Sequence, residues 1–409
     1  MSLEFNKVVV QVQTMGRYLE HRSTSLTNKL DLALERFYAA TDLDAIHDRI
    51  KLVRESSVSG YRGATPAPRP YDEIICGVGA LPDLPEKATM VAVDGSQIYP
   101  DPHAAAQYYL INMGVFVYYH GEPRLPFQAT EPELIYSESM LQDKDGRLIT
   151  NQTVNVRRTI AEMQWLAKEA WNRRSEPRPL IALHDGGLLK FFGANEVAGA
   201  QQIERDYMDA LQMLSDSNAV LLGYLDKPRS TYLISLLHLL SLEPEQVNDA
   251  NLRANGELEG LNDAMLFANV LEPGERSAIM TQNSPQNREY KDRKGADFEI
   301  GFFYVNVSNG SHPVIVRIDI PMWVGRDKEA VAALHALVVA QCSIQGRKSY
   351  PYALTRADEL AYISSVEKSQ LDEMIRVEML RNRLQPEASN KLQTKGLARG
   401  DRRKHRLGV

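Results

Sequence analysis

Two apolar stretches of the sequence each run into an Asp-Gly pair. VAVDGS (91–96) places Asp94 after three strand-forming residues, and IALHDGG (181–187) places Asp185 in the same way. If the two strands are neighbours, their carboxylates lie close together and repel, so that one of them resists ionisation. A divalent cation removes that repulsion, and oxygen ligands of this kind suit Mg²⁺ or Mn²⁺. The alternative for Asp94 is a plain Asp-Gly turn.

A third carboxylate is available on the helix that the sequence predicts between these strands. In NVRRTIAEMQWLAKEA (155–170), Glu162 lies one turn after Arg158. Carboxylates on a strand, a helix and a second strand are the arrangement of ribonuclease-H-like nucleases, in which two metals clamp the attacking and leaving oxygens of a phosphodiester. The alternative for Glu162 is a solvent-facing glutamate on a helix surface.

A further group of reactive side chains precedes and opens a helix near the end of the chain. GRKSYPYALTRADELAYIS (346–364) places Tyr350 just before the helix and Asp358 in its first turns. Both side chains could face a site at the helix N-terminus, where anions are also favoured. The alternative for Asp358 is an acidic residue that only stabilises the helix dipole.

The elements that must position these residues alternate between strand and helix, which predicts an α/β fold with a mixed sheet flanked by helices. The predicted strands are 89–93, 107–121, 179–187 and 219–227, with a hairpin of 298–308 and 312–323 around Asn309-Gly310-Ser311. The predicted helices are 152–174, about 196–215, 231–241, 327–345 and about 355–384.

Four regions follow from the distribution of apolar, Gly/Pro and basic residues. Residues 1–57 predict a helical N-terminal region, because apolar residues recur at three- and four-residue spacing. The Gly/Pro-rich composition of 58–88 predicts a connector, and 89–385 form the predicted catalytic domain. Residues 386–409 predict a basic, disordered tail.

Composition limits the class of protein. The 409 residues are 44% hydrophobic and 24% charged, which is ordinary for a globular protein. The two cysteines, Cys76 and Cys342, provide neither a disulfide framework nor a cysteine zinc cluster, so a reducing, cytoplasmic setting is expected. No apolar run approaches about 18 residues, so no membrane span is expected.

The net charge of −6 argues against uniform coating of nucleic acid. The stretch 391–409 nevertheless holds seven lysines and arginines against Asp401. Such a tail can bind a polyanion or an acidic partner, and the alternative is a solvated chain end.

Several stretches, taken in order, resemble the NurA-type nucleases, the nuclease partners of the HerA DNA translocase. The order of the set, over roughly 89–365, carries the resemblance more than any one motif. The stretches are VAVDGSQI (91–98), the Arg158/Glu162 helix, LHDGGLL (183–189), GYLDKPRST (223–231), LEPGERS (271–277), IGFFYVNV (300–307), VRIDIPMWV (316–324) and SYPYALTRADELA (349–361).

The resemblance implies a ribonuclease-H-like core and a homodimer with a central DNA channel. It implies a Mn²⁺-dependent deoxyribonuclease, with Mg²⁺ as a possible substitute. The activity would combine 5′–3′ exonuclease and single-strand endonuclease cleavage in DNA end resection and repair, beside a HerA-type hexameric ATPase. The chain has no GxxxxGK[ST] motif, so the ATP-driven motor would have to be this partner.

The resemblance also assigns roles to single residues. The metal carboxylates would be Asp94, Glu162 and Asp185, with Asp358 as a further ligand at a position where the family commonly has a histidine. Tyr350 would complete the catalytic set. Contacts to the DNA backbone would come from Ser96, Lys227 and Arg229.

The sequence leaves other interpretations open. The segment PGERS (273–277) with Arg288, Lys291 and Arg293 lines the DNA path in one interpretation, and in the other 287–294 is a solvated loop of mixed charge. For function, the first alternative is a DNA clamp or adaptor of the translocase that has lost catalysis. The second is a metallophosphoesterase that acts on RNA or nucleotides.

Overall fold

A computed structural model describes residues 4–55, 61–67, 73–191, 199–346 and 348–385 of the chain. The predicted basic tail, 386–409, lies outside the described residues, as do 58–60 and 68–72 of the predicted connector. Backbone contacts divide the chain into two compact units. The first unit takes Met1–Pro85, Asp185–Lys190 and Val220–Tyr352, and the second takes Glu86–His184, Phe191–Ala219 and Ala353–Val409.

The strands and helices are numbered in chain order. The strands are β1 (Ala64–Pro66), β2 (Val78–Gly79), β3 (Ala88–Ile98), β4 (Tyr109–His120), β5 (Phe127–Ile135), β6 (Leu180–Asp185), β7 (Val220–Leu225), β8 (Arg276–Ser277), β9 (Met280–Gln282), β10 (Ile300–Asn306) and β11 (Ile315–Pro321). The helices are α1 (Phe5–Ala39), α2 (Leu43–Glu55), α3 (Glu138–Leu141), α4 (Asn151–Asn172), α5 (Ala200–Asp216), α6 (Tyr232–Ser241), α7 (Asp249–Arg253), α8 (Asp263–Phe267), α9 (Pro285–Lys294), α10 (Met322–Gly325), α11 (Lys328–Ile344), α12 (Tyr352–Ala361) and α13 (Ser365–Arg381).

The second unit is built on the strand order β5-β4-β3-β6. The strands β3, β4 and β5 form an antiparallel meander, and β6 returns parallel to β3 through α4. A parallel pair needs such a helical crossover, because its ends are too far apart for a tight turn. A meander of three strands followed by a parallel fourth beside the first is the ribonuclease-H-like arrangement, so the predicted fold class is confirmed.

Strand β3 runs straight through the Asp-Gly pair. It pairs with β4 over its whole length, from Ala88↔His120 to Ile98↔Leu110. Its parallel pairing with β6 is shorter and ends at Val93↔His184. The turn alternative for Asp94 is therefore wrong, because β4 keeps the backbone extended beyond it. Asp94 stands at a strand end only with respect to β6.

The strands of the first unit follow the order β1-β9-β10-β11-β7, with β8 joining β2 to β10. The helical N-terminal region packs its second half into the core of this unit, where Phe37 of α1 and Ile50 of α2 are fully buried. Phe37 meets Phe267 edge to face at 5.9 Å, and Phe267 stacks on Tyr304. These rings join α1, α8 and β10.

The predicted elements of the core agree with the structure to within a few residues, and the hairpin is the antiparallel pair β10 and β11. The predicted last helix is instead two helices, α12 and α13. Ser364 separates them, because it caps α13 in a reciprocal capping box with Glu367. Within the described residues, no helix is long and apolar enough to cross a membrane.

Candidate active site

Asp94 lies on β3 at the first residue beyond the pairing with β6. The amide of Thr89 donates to the carbonyl of Pro179, so the odd-numbered residues of β3 direct their backbone groups towards β6. The backbone groups of Gly95 also point to the side of β6, but Gly95 lies beyond Val93, the last residue of β3 that pairs with β6. Its amide donates to Oδ1 of Asp94 at 2.8 Å. The half-buried Asp94 carboxylate therefore lies at the edge of β3 that β6 leaves uncovered.

Glu162 approaches the same point of β3 from α4. Thr150 caps this helix by accepting the amide of Thr153, and Glu162 lies three turns in, with only 5% of its surface exposed. The solvent-facing alternative is therefore wrong. Its Oε1 lies 3.1 Å from Nε of Arg158, one turn earlier, so the buried charge is paired.

Gly95 is the residue that allows Glu162 so close to the strand. A Cβ at position 95 would lie 2.9 Å from Oε1 of Glu162, 2.9 Å from Cγ of Arg158 and 2.5 Å from Cε of Met113. These distances are shorter than real Cβ contacts. Gly95 thus has both carboxylates as neighbours: Asp94 accepts its amide, and Oε1 of Glu162 lies against its α-carbon.

Arg158 is held in this site by a chain of polar side chains. Its Nη1 donates to the carbonyl of Gly95 at 3.3 Å and to Oε1 of Gln97 at 3.1 Å. Gln97 donates to the hydroxyl of Tyr99, which donates to Asn155 of α4. The sequence motif indicates the helix of Arg158 but not these hydrogen bonds, since those that reach α4 span 56 positions or more.

Helix α12 packs on β3 and β4 next to Asp94. Ser96 donates its hydroxyl to the carbonyl of Ala361 at 2.5 Å, and a Cβ on Gly114, the register partner of Asp94, would lie 2.2 Å from the carbonyl oxygen of Ala357. Asp358 is exposed on this helix. The hydroxyl proton of Ser96 is thus engaged in fixing α12, so a hydrogen bond to a DNA phosphate would require the hydroxyl to turn away from Ala361.

Asp185 is the exposed last residue of β6 and belongs to the first unit. The loop after it is anchored within that unit: the amide of Gly186 donates to the carbonyl of Tyr224, and the amide of Leu188 donates to Oδ2 of Asp319. Gly186 has φ 121°, which favours glycine. The two anchors fix the course of the backbone directly after Asp185.

The anchor Asp319 belongs to a buried ion pair that sequence reasoning missed. Arg317 donates Nε to Oδ1 of Asp319 at 2.8 Å and Nη2 to Oδ2 at 3.2 Å. Burial lowers the pKa of Arg317, but the attraction of Asp319 and nearby tyrosines outweighs it and raises the pKa above its usual value. The only signal in the sequence is the i, i+2 spacing of the two charges within the apolar VRIDIP, which places both on one face of β11.

The predicted DNA-backbone residues Lys227 and Arg229 are exposed on the loop after β7. Lys227 has φ 50°, unusual for a residue with a side chain. The loop is held by the buried Asp263, whose amide donates to the carbonyl of Ser230 and whose carboxylate accepts the amides of Tyr232 and Ile234. Burial raises the pKa of Asp263 to about 6, against the lowering effect of these hydrogen bonds.

The remaining predicted residues lie in the first unit. Tyr350 is half-buried, and its ring meets that of Tyr224 edge to face at 5.2 Å. The segment 287–294 falls in helix α9 and is not a loop. Two of its basic residues pair with acids there, Lys291 with Glu299 and Arg293 with Glu289.

The donor set around Gly95 suits a hard divalent cation. Among the described residues, no group of three or more His, Cys, Asp or Glu side chains could hold a metal ion. Mg²⁺ and Mn²⁺, however, commonly bind through one or two carboxylates and complete their shell with water or substrate oxygens. Asp94 and the carbonyl of Gly95 supply such oxygens at the uncovered edge of β3, and Glu162 supplies another against Gly95. The residues therefore fit a divalent cation.

Comparison with known proteins places this geometry in a family. The NurA domain model matches residues 88–363, more than half of the chain. The NurA nuclease from Sulfolobus solfataricus matches in structure with a TM-score of 0.54 and 10% identity, over 92% of this chain and 98% of that chain. At this identity, the likeness extends to the fold alone.

Two further solved structures are more distant. Argonaute from A. aeolicus has a TM-score of 0.32 and 9% identity, over 71% of this chain and 29% of that chain. The catalytic domain of human Endonuclease V has a TM-score of 0.29 and 13% identity, over 80% of this chain and 95% of that chain. No curated protein matches the sequence.

Proposed function

We propose that the chain, which belongs to the NurA domain family, is a metal-dependent DNA nuclease that hydrolyses phosphodiester bonds at the edge of β3. Membership of the family supports a nuclease. The proposal also names the metal, the residues that hold it and the partners. The single observation that carries it is that Gly95 has two carboxylates as neighbours, Asp94 at its amide and Glu162 against its α-carbon.

Asp185 is proposed as the third carboxylate of this site. Val93 and His184 are the last registered pair of the parallel strands β3 and β6, and each aspartate is the next residue on its strand. The anchored loop after β6 limits the freedom of Asp185. Asp358 is proposed as a further ligand, since α12 is fixed next to Asp94 by Ser96.

In the proposed mechanism, the residues of the chain bind and orient the scissile phosphate. A bound divalent cation, Mn²⁺ or Mg²⁺, would lower the pKa of the attacking water and neutralise charge on the phosphate. Asp94, Glu162 and Asp185 would hold it, and Tyr350 would orient the reacting groups. Lys227 and Arg229 would neutralise phosphates of the DNA backbone, and this electrostatic contribution should weaken with added salt.

The partners follow from the family resemblance and remain part of the proposal. The chain would act as a homodimer beside a HerA-type hexameric ATPase in DNA end resection, with 5′–3′ exonuclease and single-strand endonuclease cleavage. Light scattering of the purified protein tests the dimer, and a monomeric mass would contradict it. Adding a HerA-type ATPase with ATP tests the partnership by the rate of resection of linear duplex DNA.

The central experiment compares cleavage of end-labelled single-stranded DNA, linear duplex DNA, RNA and a nucleotide under Mn²⁺ or Mg²⁺. We expect DNA cleavage by the wild type and its loss in Asp94→Ala. Asp83→Ala, which removes an exposed carboxylate from a loop, is the matched control and should cleave normally. Cleavage of RNA or the nucleotide alone would favour the phosphoesterase alternative. DNA binding without cleavage, also in the presence of the ATPase, would favour the clamp.

A further inference from the structure

We propose that Arg158 competes with the divalent cation for its ligands, so that the cation enters the site by displacing a guanidinium group. The inference rests on the proposed function, since it takes Asp94 and Glu162 as ligands of the cation. It adds a property of the site: Arg158 lowers the affinity for the cation, so cleavage needs a higher concentration of metal than the ligands alone would require.

The contacts of Arg158 are made to the oxygens that the cation would use. Nε lies 3.1 Å from Oε1 of Glu162, and Nη1 donates to the carbonyl of Gly95 at 3.3 Å. The guanidinium balances the carboxylate of Glu162 through an ion pair and donates a hydrogen bond to the carbonyl, so one positive charge serves both groups. A divalent cation at the same oxygens satisfies them with two.

Both cations cannot be accommodated at these oxygens together. Glu162 is 94% buried in its side chain and needs a compensating charge at all times. Two cations within a few ångströms repel strongly at the low effective dielectric of such a site. The proposed site therefore has two states, one in which Arg158 contacts Glu162 and one in which the metal does.

Arg158 has the freedom to leave, because 31% of its side chain is exposed. Its resting position is defined by Gln97, which accepts from Nη1 and is itself fixed through Tyr99 to Asn155. This chain of hydrogen bonds favours the guanidinium-bound state without trapping the side chain in the interior. Release to solvent needs only rotation of the Arg158 side chain and no movement of α4.

The test is the affinity of the full chain for Mn²⁺, measured by titration calorimetry without DNA. Arg158→Gln removes the competing charge, and we expect it to bind Mn²⁺ at least tenfold more tightly than the wild type. Arg158→Lys keeps the charge but cannot contact both oxygens in the same way, so an intermediate affinity is expected.

Arg157→Gln is the matched control, because Arg157 is the adjacent residue of α4 and donates to Tyr109 and the carbonyl of Met140 instead. It makes the same charge change and should leave the affinity for Mn²⁺ unchanged. A tightening of equal size in Arg157→Gln would overturn the inference, because it would reveal an effect of overall charge.

Thermal unfolding gives a second readout. Without metal, buried Glu162 loses the charge of Arg158 in Arg158→Gln, so the variant should melt below the wild type, and Mn²⁺ should raise its Tm more than that of the wild type. If the variant folds only with Mn²⁺, the inference is equally supported. Equal Mn²⁺ responses of the two proteins would overturn it.

The outcomes separate this inference from the proposed function. If the wild type binds Mn²⁺, Asp94→Ala abolishes binding and Arg158→Gln binds as the wild type does, the inference fails and the proposed site stands. If neither the wild type nor Arg158→Gln binds Mn²⁺ or Mg²⁺, the proposed metal site itself is wrong, and the inference falls with it.

Discussion

Gly95→Ala tests whether the position of Glu162 against β3 controls cleavage. The added Cβ would lie 2.9 Å from Oε1 of Glu162, whereas ordinary contacts begin at 3.4 Å, so the carboxylate must retreat by about half an ångström. The Cβ would also lie 2.5 Å from Cε of Met113, which is the flexible end of a side chain and can move. The substitution therefore acts on α4 and its carboxylate more than on β3.

The two expected effects differ in size. Overpacking of this kind costs about 1–3 kcal/mol in the free energy of unfolding. A misplacement of about 1 Å can cost roughly 100-fold in rate, so a shift of about half that size should lower kcat/KM by roughly tenfold. Urea denaturation measures the first effect, and initial rates on end-labelled single-stranded DNA measure the second.

Gly16→Ala is the matched control for the Gly95 variant. Gly16 lies in α1 with no atom near its would-be Cβ, so the same chemical change adds a methyl group to open space. It should leave cleavage unchanged and stabilise the helix by up to about 1 kcal/mol. A folded Gly95→Ala protein that cleaves DNA at the wild-type rate would refute the role given to the position of Glu162.

Three further predictions concern close packing and buried charged groups. Gly114→Ala should destabilise the protein by about 3 kcal/mol or more in urea denaturation, because its Cβ meets the backbone oxygen of Ala357 at 2.2 Å and backbone cannot yield as a side chain does; a mild effect would contradict this packing. Asp319→Asn leaves buried Arg317 without its carboxylate, so we expect a loss of about 3–5 kcal/mol in the same assay together with slower cleavage, and unchanged stability would argue against the ion pair as an anchor. Burial lowers the pKa of His335 to about 4, so its contribution to the free energy of unfolding is complete above pH about 6.5 and is lost as the pH falls towards 4. Over that range, the free energy of unfolding should fall by about 3 kcal/mol more in the wild type than in His335→Gln. Parallel pH profiles of the two proteins would contradict the neutral, buried state of His335.

The parts of the fold that the sequence predicts are those governed by local periodicity. Strands β3 and β6 and helix α4 carry their apolar pattern within a few consecutive residues. Strand β5 was not predicted, because its residues are exposed on both faces and include Pro132. Such a composition is typical of a loop. The break between α12 and α13 depends on the capping box of Ser364, a local signal that the continuous helical pattern concealed.

The sequence likewise predicts some features of the candidate site and not others. The types and order of Asp94, Glu162 and Asp185 are visible in the sequence, because strand-aspartate and helix-glutamate patterns are local. The contacts that hold these side chains are not visible, since Arg317–Asp319 reaches the loop after Asp185 across 131 positions. Such partners depend on which strands become neighbours, and no window of the sequence contains that information.

The site exists because the two neighbours of β3 have different lengths. The partner β4 pairs as far as Ile98, whereas the pairing with β6 ends at Val93. Beyond Val93, the strand is therefore rigid along one edge while its other edge offers backbone groups to side chains. The Asp94 carboxylate accepts a hydrogen bond from the amide of Gly95, and Arg158 donates one to the carbonyl of Gly95. An Asp-Gly pair inside a strand thus provides the surface on which α4 packs. If β6 paired with β3 beyond Val93, it would cover the edge on which the proposed chemistry depends.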